Sequence, residues 1–256
     1  MLSSAVLTIA LATAAFSHPT KRQTGGGVIT SCTVPNTAAL TFDDGPYIYS
    51  QNTVDILDAK GVKGTFFIST YHIGCIIELT GSNPLSNCSD GNNLLMHHTW
   101  AHKDLATLTT DQVCPLPIDN KLQLTVNTVA LEKILGVKVA FMRPPYGSYN
   151  SGVLQVAAAH NQSVIIWDFD SGDSVGETAA NSEKDYDTLV AKHPSTILTL
   201  NHETVGDTTV LPHALDDLLG AGYNLVTVAE CLGLPPYLSV VAPSTQDASW
   251  TCSNTN

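Results

Sequence analysis

Two adjacent carboxylates, Asp43 and Asp44, end the apolar run "ALTF" and are followed at once by Gly45 and Pro46. A single Asp in that place would read as a turn former or a helix cap. Two in a row repel each other unless a cation, a proton or a cationic side chain sits nearby. A partner stands at "HHTWAH", residues 97–102, where His98 and His102 are four apart. On one turn of helix that spacing puts both imidazoles on the same face. His97 has only Ala101 four residues on, so the 98/102 pair is preferred. Two imidazoles and one carboxylate make a three-ligand metal site with open positions, as in zinc hydrolases and some iron oxygenases. The two acids would then divide the work, one binding the ion and one taking a proton from water. Alone, the His-x-x-x-His spacing is equally that of two surface histidines on a polar turn.

The elements that must position these residues are short apolar runs alternating with helical patterns. Strands are expected at 38–42, 64–69, 94–97, 138–142, 163–167, 195–200 and 223–228, and helices near 50–60, 119–135, 150–160, 183–192 and 210–220. Runs such as "SVIIW" and "STILTL" are continuously apolar, as in strands buried on both faces. Repeated β-then-α units predict a parallel sheet. Leu122, Val126, Val129, Leu131 and Leu135 give 119–135 an apolar face, which Gly136 ends. Pro212 is placed in the first turn of 210–220 and Gly220 at its close. The expected fold class is α/β, a distorted (β/α) barrel with about seven parallel strands. Polar residues stand at or just after five strand ends: Asp43 and Asp44, His98, Arg143, the group Asp168, Asp170 and Asp173, and His202. Parallel strands open such ends on one rim, where these folds carry their chemistry. Trp167 lies on its strand and is assigned to the core.

Composition narrows the setting. The 256-residue chain has a formal net charge of −12 and six cysteines. That acidity argues against nucleic acid and anionic membranes as partners and suits a neutral substrate. Residues 1–17 read as a secretory signal peptide and 18–22, ending in the dibasic Lys21-Arg22, as a candidate pro-segment, which leaves 23–256 as one domain. No later apolar segment is long enough to span a bilayer. The expected location is extracellular, with cell-wall association as an option. In that oxidising setting the cysteines read as three disulfides. Cys32 with Cys231 would tie the chain ends and Cys75 with Cys88 would close a loop. Asn87 and Asn161 stand in glycosylation sequons. His72, His160, His193 and His213 lack partners at ligand spacing and are assigned to the surface or to helix ends.

Five stretches fall in the order of a known motif set: "TFDDGP" at 41–46, "HTWAH" at 98–102, "RPPYG" at 143–147, "DFDSGDS" at 168–174 and "LTLNHE" at 198–203. Over roughly 34–232 the chain resembles the polysaccharide deacetylases of carbohydrate esterase family 4, the NodB-homology domain, and within them the fungal chitin deacetylases. The resemblance implies Asp43 as general base and Asp44, His98 and His102 as ligands of one divalent metal, zinc first and cobalt as the alternative. It implies Arg143 as the partner that holds Asp43 ionised and the Tyr146 backbone N–H as an oxyanion donor. It makes His202 the general acid, kept protonated by Asp173, and Leu200 a wall of the acetyl pocket. Many members carry Trp where this chain has Ser174, so one wall of the substrate groove differs. The implied reaction is hydrolytic N-deacetylation of N-acetylglucosamine units in chitin or chitooligosaccharides, with release of acetate, by a monomer.

Other readings share parts of this pattern. Acetylxylan esterase is the first, and bacterial-type peptidoglycan deacetylation ranks lower. A metal-free glycosidase would need two carboxylates flanking a bond, and neighbours on a strand point to opposite faces. A non-catalytic carbohydrate-binding protein on this scaffold would be marked by loss of a metal ligand or of the base, and none is missing.

Overall fold

A computed structural model describes residues 27–69, 93–113 and 123–245. In chain order these form β1 (Val28–Ile29), β2 (Thr37–Ala39), β3 (Thr41–Asp43), α1 (Ser50–Lys60), β4 (Thr65–Ile68), β5 (Leu94–His97), α2 (Thr110–Val113), α3 (Gln123–Leu135), β6 (Val137–Val139) and β7 (Phe141–Met142). They continue with α4 (Ser151–Ala159), β8 (Ser163–Ile165), β9 (Phe169–Asp170), α5 (Ala179–Lys192), β10 (Thr196–His202), α6 (Val205–Gly220), β11 (Asn224–Leu225), α7 (Val228–Leu232) and β12 (Tyr237–Val240). The expected signal peptide, the pro-segment, His72, Asn87 and the Cys75–Cys88 pair lie outside the described residues.

A mostly parallel sheet runs in the order β1-β8-β7-β5-β4-β3-β10-β2-β11, with β9 also on β10. Every pairing within it is parallel. The seven strands expected from the sequence supply most of it. The run 38–42 is interrupted at Leu40, yet β2 and β3 keep one register against β10. At the break Thr199 Oγ1 accepts the Thr41 N–H, a side chain standing in for a strand carbonyl. β1 and β9, each of two residues, escape a pattern-based reading because two residues carry no period. β12 pairs antiparallel with β6 outside the main sheet.

The sheet interior is filled by Leu40, Phe42, Phe66, Leu95 and Ile197, all fully buried, with Phe42 stacked on Phe66 at 5.0 Å. Burial on both faces explains the unbroken apolar runs. Helix ends follow local chemistry. Asn150 caps α4 by accepting from the Val153 N–H, Thr178 caps α5, and Thr227 with Glu230 forms a capping box on α7. The Thr178 cap starts α5 four residues ahead of the expected 183. Pro212 is not in a first turn, because α6 begins at Val205 and Pro212 lies inside it. The α3 face is confirmed in part: Leu131 is fully buried but Val129 is 40% exposed. Leu122 and Val126 lie outside the described side chains.

Cys32 and Cys231 form a disulfide across 199 residues of sequence, the expected tie between the chain ends. Closing a loop of that length removes roughly 5 kcal/mol of unfolded-state entropy. We therefore expect the Cys32→Ala/Cys231→Ala double variant to melt about 10–20 °C below the parent. An unchanged melting temperature by calorimetry would remove the bond from the stability account.

Candidate active site

Strand register assembles the site. His202 pairs with Asp43, Ile68 with His97, and His97 with Met142, so the carboxyl ends of β10, β3, β4, β5 and β7 lie level. Residues at or just past those ends share one rim, as expected from the sequence. One open cleft is lined by Asp43, Asp44, His98, His102, Tyr146, Asp173, Leu200 and His202. Arg143 lies beneath it, fully buried.

Asp44 does not follow strand alternation. Its φ is 71°, a left-handed conformation that Asp tolerates better than most residues. That turn brings its carboxylate to the same side as Asp43's. His98 Nε2 lies 3.7 Å from Asp43 Oδ2 and 3.6 Å from Asp44 Oδ1. The sequence argument that the two acids point apart therefore fails here. Gly45 comes next for a steric reason: a Cβ there would sit 2.0 Å from Glu203 Oε1.

His98 and His102 meet, but not on a helix. Residues 98–102 form a loop in which Thr99 (φ 67°) and His102 (φ 49°) are both left-handed. The rings end 5.0 Å apart. His98 Nδ1–H donates to the Arg143 carbonyl at 2.8 Å, which leaves the Nε2 lone pair facing Asp44. Burial pushes the His98 imidazole down to about 3, against the opposing pull of Asp44, so it stands neutral. Neutral imidazole is the form that binds metal. His102 Nε2 lies 3.1 Å from Asp44 Oδ1. The three ligand atoms lie within 4.8 Å of one another. Ligands at zinc bond lengths in a tetrahedron are separated by about 3.3 Å, so the donor set and its spacing fit a small divalent ion.

Arg143 is held on every side. Its Nη1 donates to Asp43 Oδ1 at 2.8 Å and to Thr41 Oγ1 at 2.6 Å, and its Nη2 to the Ile166 carbonyl at 3.0 Å. Its guanidinium lies 4.3 Å from the Phe67 ring centroid. Burial pushes the Asp43 carboxyl above its ordinary value, and the Arg143 charge opposes that rise. Across the cleft, Asp173 grips His202 twice, Oδ2 accepting the backbone N–H at 2.6 Å and Oδ1 facing Nδ1 at 2.8 Å. Burial alone would lower the His202 imidazole. The Asp173 hydrogen bond and charge, with Asp43 and Asp44 behind them, outweigh it and hold the ring at about 9. Tyr146, left-handed at φ 61°, sets its ring edge on His102 with centroids 4.8 Å apart.

Residues 30–165 of a chain with this geometry match the Polysaccharide deacetylase family model. The protein belongs to the polysaccharide deacetylase family. It is 33% identical over 216 residues to a chitin deacetylase of Pestalotiopsis sp, spanning 81% of this chain and 67% of that one. It is 31% identical to a chitin deacetylase of Colletotrichum lindemuthianum, across 92% and 96% of the two chains. The solved structure of the chitin deacetylase from that pathogen superposes with a TM-score of 0.70 at 27% identity, over 83% of this chain and 94% of that one. A family pseudoenzyme from Bacillus anthracis shares the fold at 21% identity and a TM-score of 0.67, over 80% and 69%. Family membership is therefore separate from activity, which rests on the site residues.

Within this deacetylase-family cleft, several residues sit where the sequence did not place them. Trp167 is not core. It is half-buried, lines the cleft, and lies under Gly147, whose added Cβ would be 3.0 Å from its ring. Its strand ends two residues earlier, at Ile165, so strand alternation no longer governs it. Glu203 was missed. It is buried beside Asp44, accepts from the Tyr47 N–H and the Ser50 hydroxyl, and burial raises its carboxyl to about 7. The signal was its place directly after His202. Ser174 and the 80%-exposed Val175 line the cleft. Asp168 belongs to the frame, its Oδ1 accepting from the Leu198 N–H at 2.7 Å. His213 does have partners: Asp187 at 2.9 Å and Asp217 at 3.2 Å, which hold its imidazole above the usual range. The 213/217 spacing of four could have revealed the second of these.

Proposed function

We propose that this protein is a secreted, metal-dependent hydrolase that removes N-acetyl groups from N-acetylglucosamine units of chitin or its oligomers. One observation carries the reading: three side chains that could hold a divalent ion, Asp44, His98 and His102, lie between a buried carboxylate and a carboxylate-bound imidazole on one cleft, in a chain related to chitin deacetylases. Asp44, His98 and His102 would hold the ion, with zinc proposed first and cobalt second. When bound, it supplies a Lewis acid that polarises the acetyl carbonyl and acidifies water.

The chain's own groups do the rest. Arg143 engages Asp43 Oδ1 and leaves Oδ2 on the His98 side, where it takes a proton from the attacking water. The Tyr146 N–H donates to the oxyanion that develops on the carbonyl oxygen. His202, protonated and oriented by Asp173, delivers a proton from Nε2 to the leaving nitrogen. Leu200 walls the acetyl group, and acetate departs. An amide needs that acid more than an ester does, because an amide anion is a very poor leaving group. We place residues 23–256 in one catalytic domain, acting as a monomer.

Acetate release from chitin oligomers, with and without a chelator, tests the proposal, with acetylated xylan run in parallel. Release from the oligomers should vanish with chelator and return with zinc or cobalt. A preference for xylan would move the assignment to O-deacetylation, and shortened glycans without acetate would sink it.

Asp173 gives a pH prediction. His202 must be protonated to act, so activity is present below its pKa and lost as pH rises through it. Removing the Asp173 charge lowers that pKa. Asp173→Asn should move the alkaline limb of the kcat profile down by roughly 1–2 pH units. An unmoved limb would separate Asp173 from the acid.

A further inference from the structure

Outside the cleft lies a buried polar chain that the proposed chemistry does not use. His97, Gln162 and Thr128 come from β5, the turn before β8, and α3, and their exposures are 0%, 0% and 4%. His97 Nε2 lies 2.9 Å from Gln162 Oε1. The Gln162 amide nitrogen donates to Thr128 Oγ1 and to the Val139 carbonyl, both at 3.3 Å. On the other side of the ring, the Thr99 N–H donates to His97 Nδ1 at 3.4 Å.

These contacts allow one proton arrangement. A carbonyl can only accept, so Val139 requires the Gln162 nitrogen on its side and puts Oε1 towards His97. His97 must then carry its proton on Nε2 and offer a lone pair at Nδ1. That lone pair receives the N–H of Thr99, one of the two left-handed residues in the 98–102 loop. The left-handed region is costly for a β-branched residue and persists where surrounding bonds hold it. This is the turn that lets His98 and His102 face each other without a helix. His97 also ties its own carbonyl to the Arg143 N–H at 3.2 Å, fixing the strand end from which the loop departs.

We propose that His97, with its tautomer set by Gln162, is a positioning residue that shapes the Thr99 turn and so tunes affinity for the divalent ion. The inference rests on the reading of Asp44, His98 and His102 as the ligands. His97 touches neither ion nor substrate and acts through the loop alone.

Zinc affinity, measured by competition with a chromophoric chelator, tests it on His97→Leu, His97→Asn and Gln162→Met. His97→Leu offers no acceptor to Thr99 and should weaken zinc binding about 10–100-fold. His97→Asn keeps a side-chain oxygen near the Nδ1 position and should recover affinity to within about threefold of the parent, a rescue that a purely packing role would not produce. Gln162→Met leaves the ring in place but frees its tautomer, and should weaken binding severalfold with unchanged far-ultraviolet circular dichroism. Parent-like affinity in a folded His97→Leu, or equal losses in the Leu and Asn variants, overturns the inference. If His97→Leu does not fold, unchanged affinity in Gln162→Met overturns it. A parent protein that binds no zinc would instead remove the ligand assignment on which it rests.

Discussion

Asp43→Asn is expected to lower kcat for acetate release roughly 10²–10⁴-fold while leaving metal content unchanged. Asp43 is 2% exposed and bound to a fully buried Arg143 at 2.8 Å. An amide oxygen in its place still accepts from Arg143 but cannot take a proton from water at neutral pH. Asp43 is not among the proposed ligands Asp44, His98 and His102, so the ion should stay. The substitution also leaves the Arg143 charge without its carboxylate. Unpairing a buried ion pair costs about 3–5 kcal/mol when one partner is lost outright, and the retained hydrogen bond should keep the loss below that. Kinetics, metal analysis and a melting curve on the same preparation separate the effects. Retained acetate release would refute the base assignment, and loss of metal would place Asp43 among the ligands.

His202→Ala should produce the second large loss, and one that depends on the leaving group. With chitin oligomers the amine must be protonated as it departs, so kcat/KM should fall roughly 10²–10⁴-fold. With an aryl acetate the phenolate leaves without a proton, and the loss should stay below about tenfold, since Asp43 and the metal cluster are untouched. Only a group acting on the leaving atom gives this split. Equal losses on the two substrates would place His202 in binding or in oxyanion stabilisation instead. The geometry favours the acid role, because His202 Nε2 lies 4.0 Å from Asp44 Oδ2 while Nδ1 is taken up by Asp173.

Much of this was legible in the chain itself. The parallel sheet followed from apolar runs alternating with helical patterns, because strands buried on both faces leave no polar side to write. The rim followed from where polar residues interrupt those runs. Asp43, Asp44, His98, His102, Arg143, Tyr146, Asp173, Leu200 and His202 all gather at one place. Short-range readings failed where the backbone leaves regular geometry. The His98–His102 spacing suggested a helical turn, and the structure builds the same proximity from two left-handed residues. Asp43 and Asp44 were expected to diverge as strand neighbours, and a φ of 71° at Asp44 brings them together. Trp167 passed for core because its strand seemed to run two residues further than it does.

The sequence by itself determined the parallel α/β scaffold and the kinds of group on its rim, because hydrophobic period and residue type are local properties. Only the tertiary structure decided how those groups are protonated and aimed. Asp173 raises His202, burial neutralises His98, and Gln162 Oε1 meets His97 Nε2. Each of these depends on partners brought from distant parts of the chain and on water excluded by the packed sheet, and neither is written in any single stretch of residues.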